Sequence, residues 1–69
     1  MTNPSANLTP ALMTERDAAA YLSLSHRTLQ AWRLRGGGPQ FIKLGANVRY
    51  DRGVLDRFIA ERVRSNTAA

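Results

Sequence analysis

The fold is decided by residues 25–39, whose sequence is SHRTLQAWRLRGGGP. Leu29 and Trp32 lie three residues apart, which places both side chains on one face of a helix and predicts that this face is buried. Ser25 is a favourable N-cap for a helix from about residue 25 to 35, and the glycines and proline that follow end it. The remaining surface of this helix carries hydrogen-bond donors and no acidic residue, whereas an ordinary solvated helix carries pairs of opposite charge.

A shorter helix is predicted just before this stretch. Thr14 is suited to be its N-cap, and Asp17 follows three residues later, as in a capping box. The helix is expected to run to residue 21 or 22, and the three residues 23–25 (Ser-Leu-Ser) are short enough to make a tight turn between two helices. Its predicted inward residues are Ala18, Tyr21 and Leu22, with Leu12 packing beneath them.

Downstream of the glycines, two short β-prone runs predict a hairpin. Residues 41–44 and 48–50 are rich in apolar and aromatic side chains, and the intervening residues 45–47 (Gly-Ala-Asn) suit a turn. Alternation along the strands places Phe41 or Ile42 with Leu44, and Val48 with Tyr50, on inner surfaces. Lys43 and Arg49 are then expected to point outward beside the turn.

A final helix is predicted from residue 52 to about 64, with Asp51 as its cap. Its apolar residues recur at helical spacing, at positions Val54, Leu55, Phe58, Ile59 and Val63. The chain is therefore expected to be mainly α-helical with a small β-hairpin, in the order of a winged helix-turn-helix. This domain is predicted to span residues 12–64, between a disordered N-terminal arm (1–11) and a flexible tail (65–69).

Composition excludes several classes of protein. The 69 residues contain no cysteine and one histidine, so neither a disulfide nor a metal site is expected. We expect no enzymatic activity and no cofactor, because the chain lacks paired carboxylates in an apolar setting and is too small for a catalytic cavity. No apolar run approaches the roughly 20 residues of a membrane span, and the first residues do not resemble a signal peptide. A cytoplasmic protein is expected.

The charge is strongly positive and unevenly placed. Ten basic residues, nine of them arginine, oppose five acidic ones, which gives a formal net charge of +5. From His26 to Arg52, with Arg52 included, there are six lysine and arginine residues, opposed only by Asp51. Such a concentration of positive charge in the middle of the chain is typical of a nucleic-acid-binding surface.

Double-stranded DNA is the predicted partner, since a polar basic helix after a tight turn suits the major groove. The side chains near the start of this helix are expected to contact bases, with arginine suited to guanine and glutamine to adenine: Ser25, His26, Arg27, Gln30 and Ala31. Others on the same helix are placed to contact phosphates: Thr28, Arg33 and Arg35. The hairpin is expected to reach an adjacent groove or its phosphates through Lys43, Asn47 and Arg49.

Several segments together resemble the MerR-like excisionase group. They are residues 12–14 (LMT), 18–22 (AAAYL), 25–33 (SHRTLQAWR), 41–45 (FIKLG), 48–50 (VRY) and 55–59 (LDRFI). The resemblance extends over residues 12 to 60. It implies a winged helix fold, a recognition helix at residues 25–35 and a wing at residues 41–50. It further implies a protein that binds and bends attachment-site DNA cooperatively and directs an integrase toward excision. Because the chain lacks the coiled coil and effector domain of full MerR regulators, no small-molecule effector is expected.

Two other functions stay open at this point. A small transcriptional regulator of the same group would use the same DNA-binding surface. A basic protein-interaction module is the second alternative, because the last helix has more apolar residues than one small core needs. Val54 and Phe58 are the predicted contacts to a second subunit on tandem DNA sites or to an integrase.

Overall fold

The computed structural model of this protein describes residues 12–65. In each of its three helices, the side chain of the N-cap residue accepts a hydrogen bond from the first turn. The Thr14 Oγ1 accepts a hydrogen bond from the Asp17 N–H (3.1 Å), and the Ser25 Oγ accepts one from the Thr28 N–H (3.0 Å). The Asp51 Oδ2 accepts from the Val54 N–H (3.0 Å). All three caps were predicted, because each places an oxygen where a helix leaves its first N–H groups without a backbone partner.

Six elements follow one another along the described chain: β1 (Leu12–Thr14), α1 (Glu15–Tyr21), α2 (His26–Arg35), β2 (Ile42–Leu44), β3 (Asn47–Asp51) and α3 (Arg52–Ala60). The strands form one antiparallel sheet in the order β1-β3-β2. Three helices and this sheet make a winged helix-turn-helix, and the predicted fold class is confirmed. Residues 1–11, predicted to be a disordered arm, and residues 66–69 of the predicted tail lie outside the described residues.

The turn between α1 and α2 closes α1 in a Schellman arrangement. The Ser23 N–H donates to the Ala20 carbonyl (3.0 Å) and the Leu24 N–H to the Ala19 carbonyl (2.8 Å), which are the two hydrogen bonds that define this motif. Ser23 adopts the left-handed conformation with φ of 58°, a position at which glycine is usual. Leu24, which follows, is half-buried.

The sheet differs from the predicted hairpin in two ways. Strand β1 was not foreseen, and it pairs with β3 in the register Met13↔Tyr50. The turn between β2 and β3 has two residues, Gly45 and Ala46, instead of the predicted three, so that Leu44 pairs with Asn47. Shifting a strand by one residue moves its side chains to the opposite face.

That shift reverses the predicted orientation of β2. Ile42 pairs with Arg49 and Lys43 pairs with Val48, and side chains of directly paired residues share a face of the sheet. The prediction that Leu44 lies on the inner surface together with Phe41 or Ile42 is therefore wrong for Leu44 and for Ile42, which are both exposed. Lys43 and Arg49, which were expected to point outward together, lie on opposite faces.

The core consists of five fully buried residues contributed by both helices of the helix-turn-helix, by β3 and by α3: Ala18, Ala19, Leu29, Tyr50 and Leu55. Half-buried side chains packed against it are Met13, Leu22, Trp32 and Val48. Two small alanines let α1 approach its neighbours closely. The predicted inward position of Tyr21 is wrong, because its side chain leaves the core and its hydroxyl donates to Asp56 on α3. Leu12 is exposed on β1 rather than packed beneath α1, since alternation turns Met13 inward instead.

Helix α3 ends at Ala60, four residues before the predicted end. Leu55 is buried, Val54 and Phe58 are half-buried, and Ile59 and Val63 are exposed. Among residues 12–65, no helix is long and apolar enough to cross a bilayer.

Candidate nucleic-acid interface

Helix α2 has a buried side and an outward side, as its sequence predicted. Leu29 is fully buried and Trp32 half-buried on the inner side. On the outer side, residues spaced by three, four and seven positions share one face, and we call it the recognition face: Arg27, Gln30, Ala31 and Leu34. Arg27 and Gln30 are exposed, and Ala31 is half-buried. The structure therefore brings together three of the five predicted base contacts.

Ser25 and Thr28, the first a predicted base contact and the second a predicted phosphate contact, are hydrogen-bonded to each other at the start of α2. The Ser25 hydroxyl accepts from the Thr28 N–H and donates to the Thr28 hydroxyl oxygen (2.9 Å). Ser25 remains exposed and Thr28 is half-buried. Their shared hydrogen bonds hold the end of α2 at which base contacts are predicted.

Glu15, the first residue of α1, gathers three side chains from α2 and β3. Its carboxylate accepts two hydrogen bonds from the Arg33 guanidinium, at 2.5 Å from Nε and 3.2 Å from Nη2. It also accepts one from the Tyr50 hydroxyl (3.0 Å), and the His26 Nε2 lies 3.3 Å from its Oε1. We call these four residues the Glu15 cluster. Because two parallel N–H bonds to a carboxylate are geometrically specific, the cluster sets the position of α2 relative to α1 and the sheet.

Electrostatics within the Glu15 cluster follow from this geometry. The Arg33 hydrogen bonds lower the pKa of Glu15, with further lowering by the Tyr50 hydroxyl, against the opposing effect of burial. Burial, followed by the hydrogen bond to Glu15, raises the pKa of Tyr50 to about 12. At neutral pH the carboxylate is therefore charged and the tyrosine hydroxyl is a donor.

The cluster changes how two predicted DNA contacts are understood. Arg33 was predicted to contact phosphate, but its side chain is only 18 % exposed and is turned to Glu15. His26, predicted to contact a base, is 37 % exposed and also faces Glu15. Sequence reasoning did not single out Glu15 and missed its partners. The sequence did contain one relevant signal. Because α2 has no acidic residue, an arginine on it such as Arg33 can pair only with an acidic residue of another element.

The wing is the hairpin of β2 and β3, and it carries the other predicted contacts. Lys43 and Asn47 are exposed, and Arg49 is half-buried with its Nη1 donating to the Val48 carbonyl (2.8 Å). Gly45 takes the first turn position with φ of 65°, as type II′ hairpin turns require. Lys43 lies on the sheet face of Val48, whereas Asn47 and Arg49 lie on the other face. The wing thus presents cations on both sides.

No acidic residue occurs between Asp17 and Asp51 in the sequence. This interval contains all of α2 and nearly all of the wing, together with Arg35, which is exposed at the end of α2. Within it, the recognition face and the wing combine hydrogen-bond donors with uncompensated positive charge. An anionic, hydrogen-bonding polymer is the ligand that such a surface fits.

The predicted partner surface on α3 is partly used within the domain. The Phe58 ring packs at 6.0 Å from the Trp32 ring centroid and lies under the Arg62 guanidinium (3.6 Å). Val54 is half-buried. The more accessible apolar side chains at this end are Ile59 and Val63, which line a shallow groove with Leu22 and Leu24.

Within the part of the chain that the structure describes, no three histidine, cysteine, aspartate or glutamate side chains group as metal ligands would. No curated protein matches the sequence. Residues 12–63 match the family model described as a helix-turn-helix domain. Because this match takes in α1, α2, the wing and α3, the chain belongs to the helix-turn-helix domain family, a family of small DNA-binding domains.

Proposed function

We propose that this protein binds double-stranded DNA in a sequence-specific manner and has no catalytic activity of its own. The observation that carries the proposal is the recognition face, an acid-free outward surface on a helix whose inner side is held by the core and by the Glu15 cluster. A helix of this kind fits the major groove, and its side chains then meet base edges. Rigid attachment matters because a poorly held helix would not select one base sequence.

Individual roles follow from the chemistry of each side chain. Arg27 can donate two hydrogen bonds to guanine, Gln30 can pair with adenine, and Ala31 can contact a thymine methyl group. The exposed cations Arg35, on α2, and Lys43, on the wing, contact phosphates. Arg49 and Asn47 extend the contact toward the neighbouring groove. Arg33 acts through Glu15 and holds α2 in place.

The finer proposal is an excisionase. In this role the protein binds repeated sites cooperatively, bends the duplex and directs an integrase toward excision. The sequence resemblance over residues 12 to 60 supports it, as does the apolar groove on α3, where Ile59 and Val63 are available to a neighbouring copy or an integrase. The alternative within the same class is a small transcriptional regulator, which would use the same recognition face at a single operator.

A gel-shift titration with competitor DNA, at two salt concentrations, tests DNA binding. We expect complexes on one segment from the protein's own genomic neighbourhood, with an affinity that falls steeply as salt rises because counterions are released from neutralised phosphates. Stepwise cooperative complexes with a bend, measured by circular permutation, support the excisionase. One isolated footprint without a bend supports the regulator. Binding no stronger than to competitor contradicts the proposal and favours a protein-interaction module.

Arg27→Ala and Arg57→Ala form a matched pair for the same assay. Both arginines are exposed, but Arg27 lies on the recognition face and Arg57 on α3. Arg27→Ala should weaken binding by about 1–3 kcal/mol and relax the preference at one base position. Arg57→Ala should leave that preference unchanged. Equal effects of the two substitutions would contradict the assignment of the recognition face.

A further inference from the structure

Leu34 stands out on the recognition face. Its side chain is 72 % exposed, the highest value among the large apolar side chains of residues 12–65. It lies seven residues after Arg27, which brings the two side chains to within about 20° of each other around the helix axis. Leu29 and Trp32, on the inner side, hold α2 so that this leucine faces away from the core.

Only a few groups in duplex DNA match an exposed aliphatic side chain at this place. Leucine can neither pair with phosphate nor hydrogen-bond a base. The apolar feature of the major groove is the methyl group at C5 of thymine, and 5-methylcytosine carries the same group at the same atom. Arg27 and Leu34 are separated by about 10 Å along the helix axis, which corresponds to about three base-pair steps.

We propose that Leu34 determines part of the DNA sequence preference by contacting the C5-methyl group of a pyrimidine, about three base pairs from the base contacted by Arg27. This inference rests on the proposed DNA-binding function. The recognition face then has two chemically different ends. Arg27 and Gln30 supply hydrogen-bond donors at one end, and Ala31 and Leu34 supply apolar contacts toward the other.

The spacing supports this division. Recognition helices of homeodomains contact DNA through four positions with offsets of three, four and seven residues, the same offsets that relate Arg27 to Gln30, Ala31 and Leu34. An exposed leucine is by itself ordinary on a protein surface. Leu34, however, is the last residue of the recognition face, it is the most exposed large apolar side chain of residues 12–65, and Arg33 beside it is turned away to Glu15.

Methyl-deleted DNA tests the proposal directly. On the duplex selected by footprinting, each thymine is replaced singly by deoxyuridine, which removes the C5-methyl group and keeps every hydrogen bond. We expect one position at which the wild-type protein binds about fourfold more weakly, the factor for one buried methyl group. At that position, 5-methylcytosine should bind more tightly than cytosine by a similar factor.

Two variants assign the effect. Leu34→Ala should lose the deoxyuridine penalty, and Leu12→Ala, an exposed aliphatic truncation on β1, should retain it. Thermal unfolding of both variants checks that the fold is intact, as expected for alanine at exposed positions. The proposal is overturned if no deoxyuridine position affects the wild type, or if the penalty persists in Leu34→Ala. Loss of all competitor-resistant binding in the wild type would instead overturn the proposed function.

Discussion

Replacing Glu15 by glutamine should destabilise the domain strongly, because its carboxylate contacts the side chains of all three other residues of the Glu15 cluster. The substitution keeps the size of the side chain and removes its charge, so that the two Arg33 hydrogen bonds and the Tyr50 hydrogen bond lose their ionic partner. Breaking a fully buried ion pair costs about 3–5 kcal/mol. Since the Glu15 and Arg33 side chains are 11 % and 18 % exposed, we expect a smaller loss of about 2–3 kcal/mol. Small domains have only about 0.05–0.15 kcal/mol of stability per residue.

Urea unfolding followed by the fluorescence of Trp32, the one tryptophan of the chain, measures this loss. Glu61→Gln is the matched control, because the Glu61 side chain is 62 % exposed and its carboxylate lies 3.5 Å from the Arg62 Nη1. Exposed pairs of this kind contribute little, so the control should change the free energy of unfolding by less than about 0.5 kcal/mol. Equal losses in both variants would refute a structural role of the Glu15 cluster.

The pH dependence of stability gives a second measurement on the same residue. The pKa of Glu15 is lower in the folded protein than its ordinary value of 4.5, so the unfolded chain takes up this proton at a higher pH than the folded one does. The resulting stabilisation is fully present above the ordinary value and is lost as the pH falls through the folded pKa. Glu15→Gln should flatten this acid limb of the stability profile. A limb unchanged from the wild type would show that other carboxyl groups cause it.

Two further predictions concern the backbone around α2. Ser23→Gly should raise the free energy of unfolding by about 0.5–1 kcal/mol, since glycine removes the cost of the left-handed conformation but adds entropy to the unfolded chain; a lower melting temperature would contradict this. Gly38→Ala should lower the free energy of unfolding by about 1–3 kcal/mol, because a Cβ at this position would lie 2.8 Å from the Trp32 Cβ. Urea unfolding checks that loss, and a variant as stable as the wild type would show that Trp32 moves aside freely.

Local signals in the sequence were sufficient for the helices. Thr14, Ser25 and Asp51 were predicted as caps, and each makes the predicted hydrogen bond, because a cap depends on residues only three positions apart. The buried pair Leu29 and Trp32 follows from helical periodicity for the same reason. Both signals need no knowledge of the rest of the chain.

The features that sequence reasoning missed depend on distant residues or on one backbone angle. Strand β1 has three residues and forms only because β3 supplies its partner. The register of β2 differs from the predicted register because the turn that begins at Gly45 is one residue shorter than predicted. Glu15 accepts hydrogen bonds from Arg33, which lies 18 positions away in the sequence, and from Tyr50, which lies 35 positions away. A pattern within one element cannot indicate such pairs, and they decide which cations of α2 face outward.

The pairing of β1 with β3 also has a kinetic consequence. Helices α1 and α2 are neighbours in sequence and can meet as soon as both have been synthesised, whereas Met13 must wait for Tyr50 before the sheet can close. Closing so long a loop costs chain entropy before any contact compensates for it, and folding slows as contacts join more distant residues. We therefore expect the rate-limiting step of folding to be the docking of the first strand. Substitutions within β1 should slow folding more than they speed unfolding.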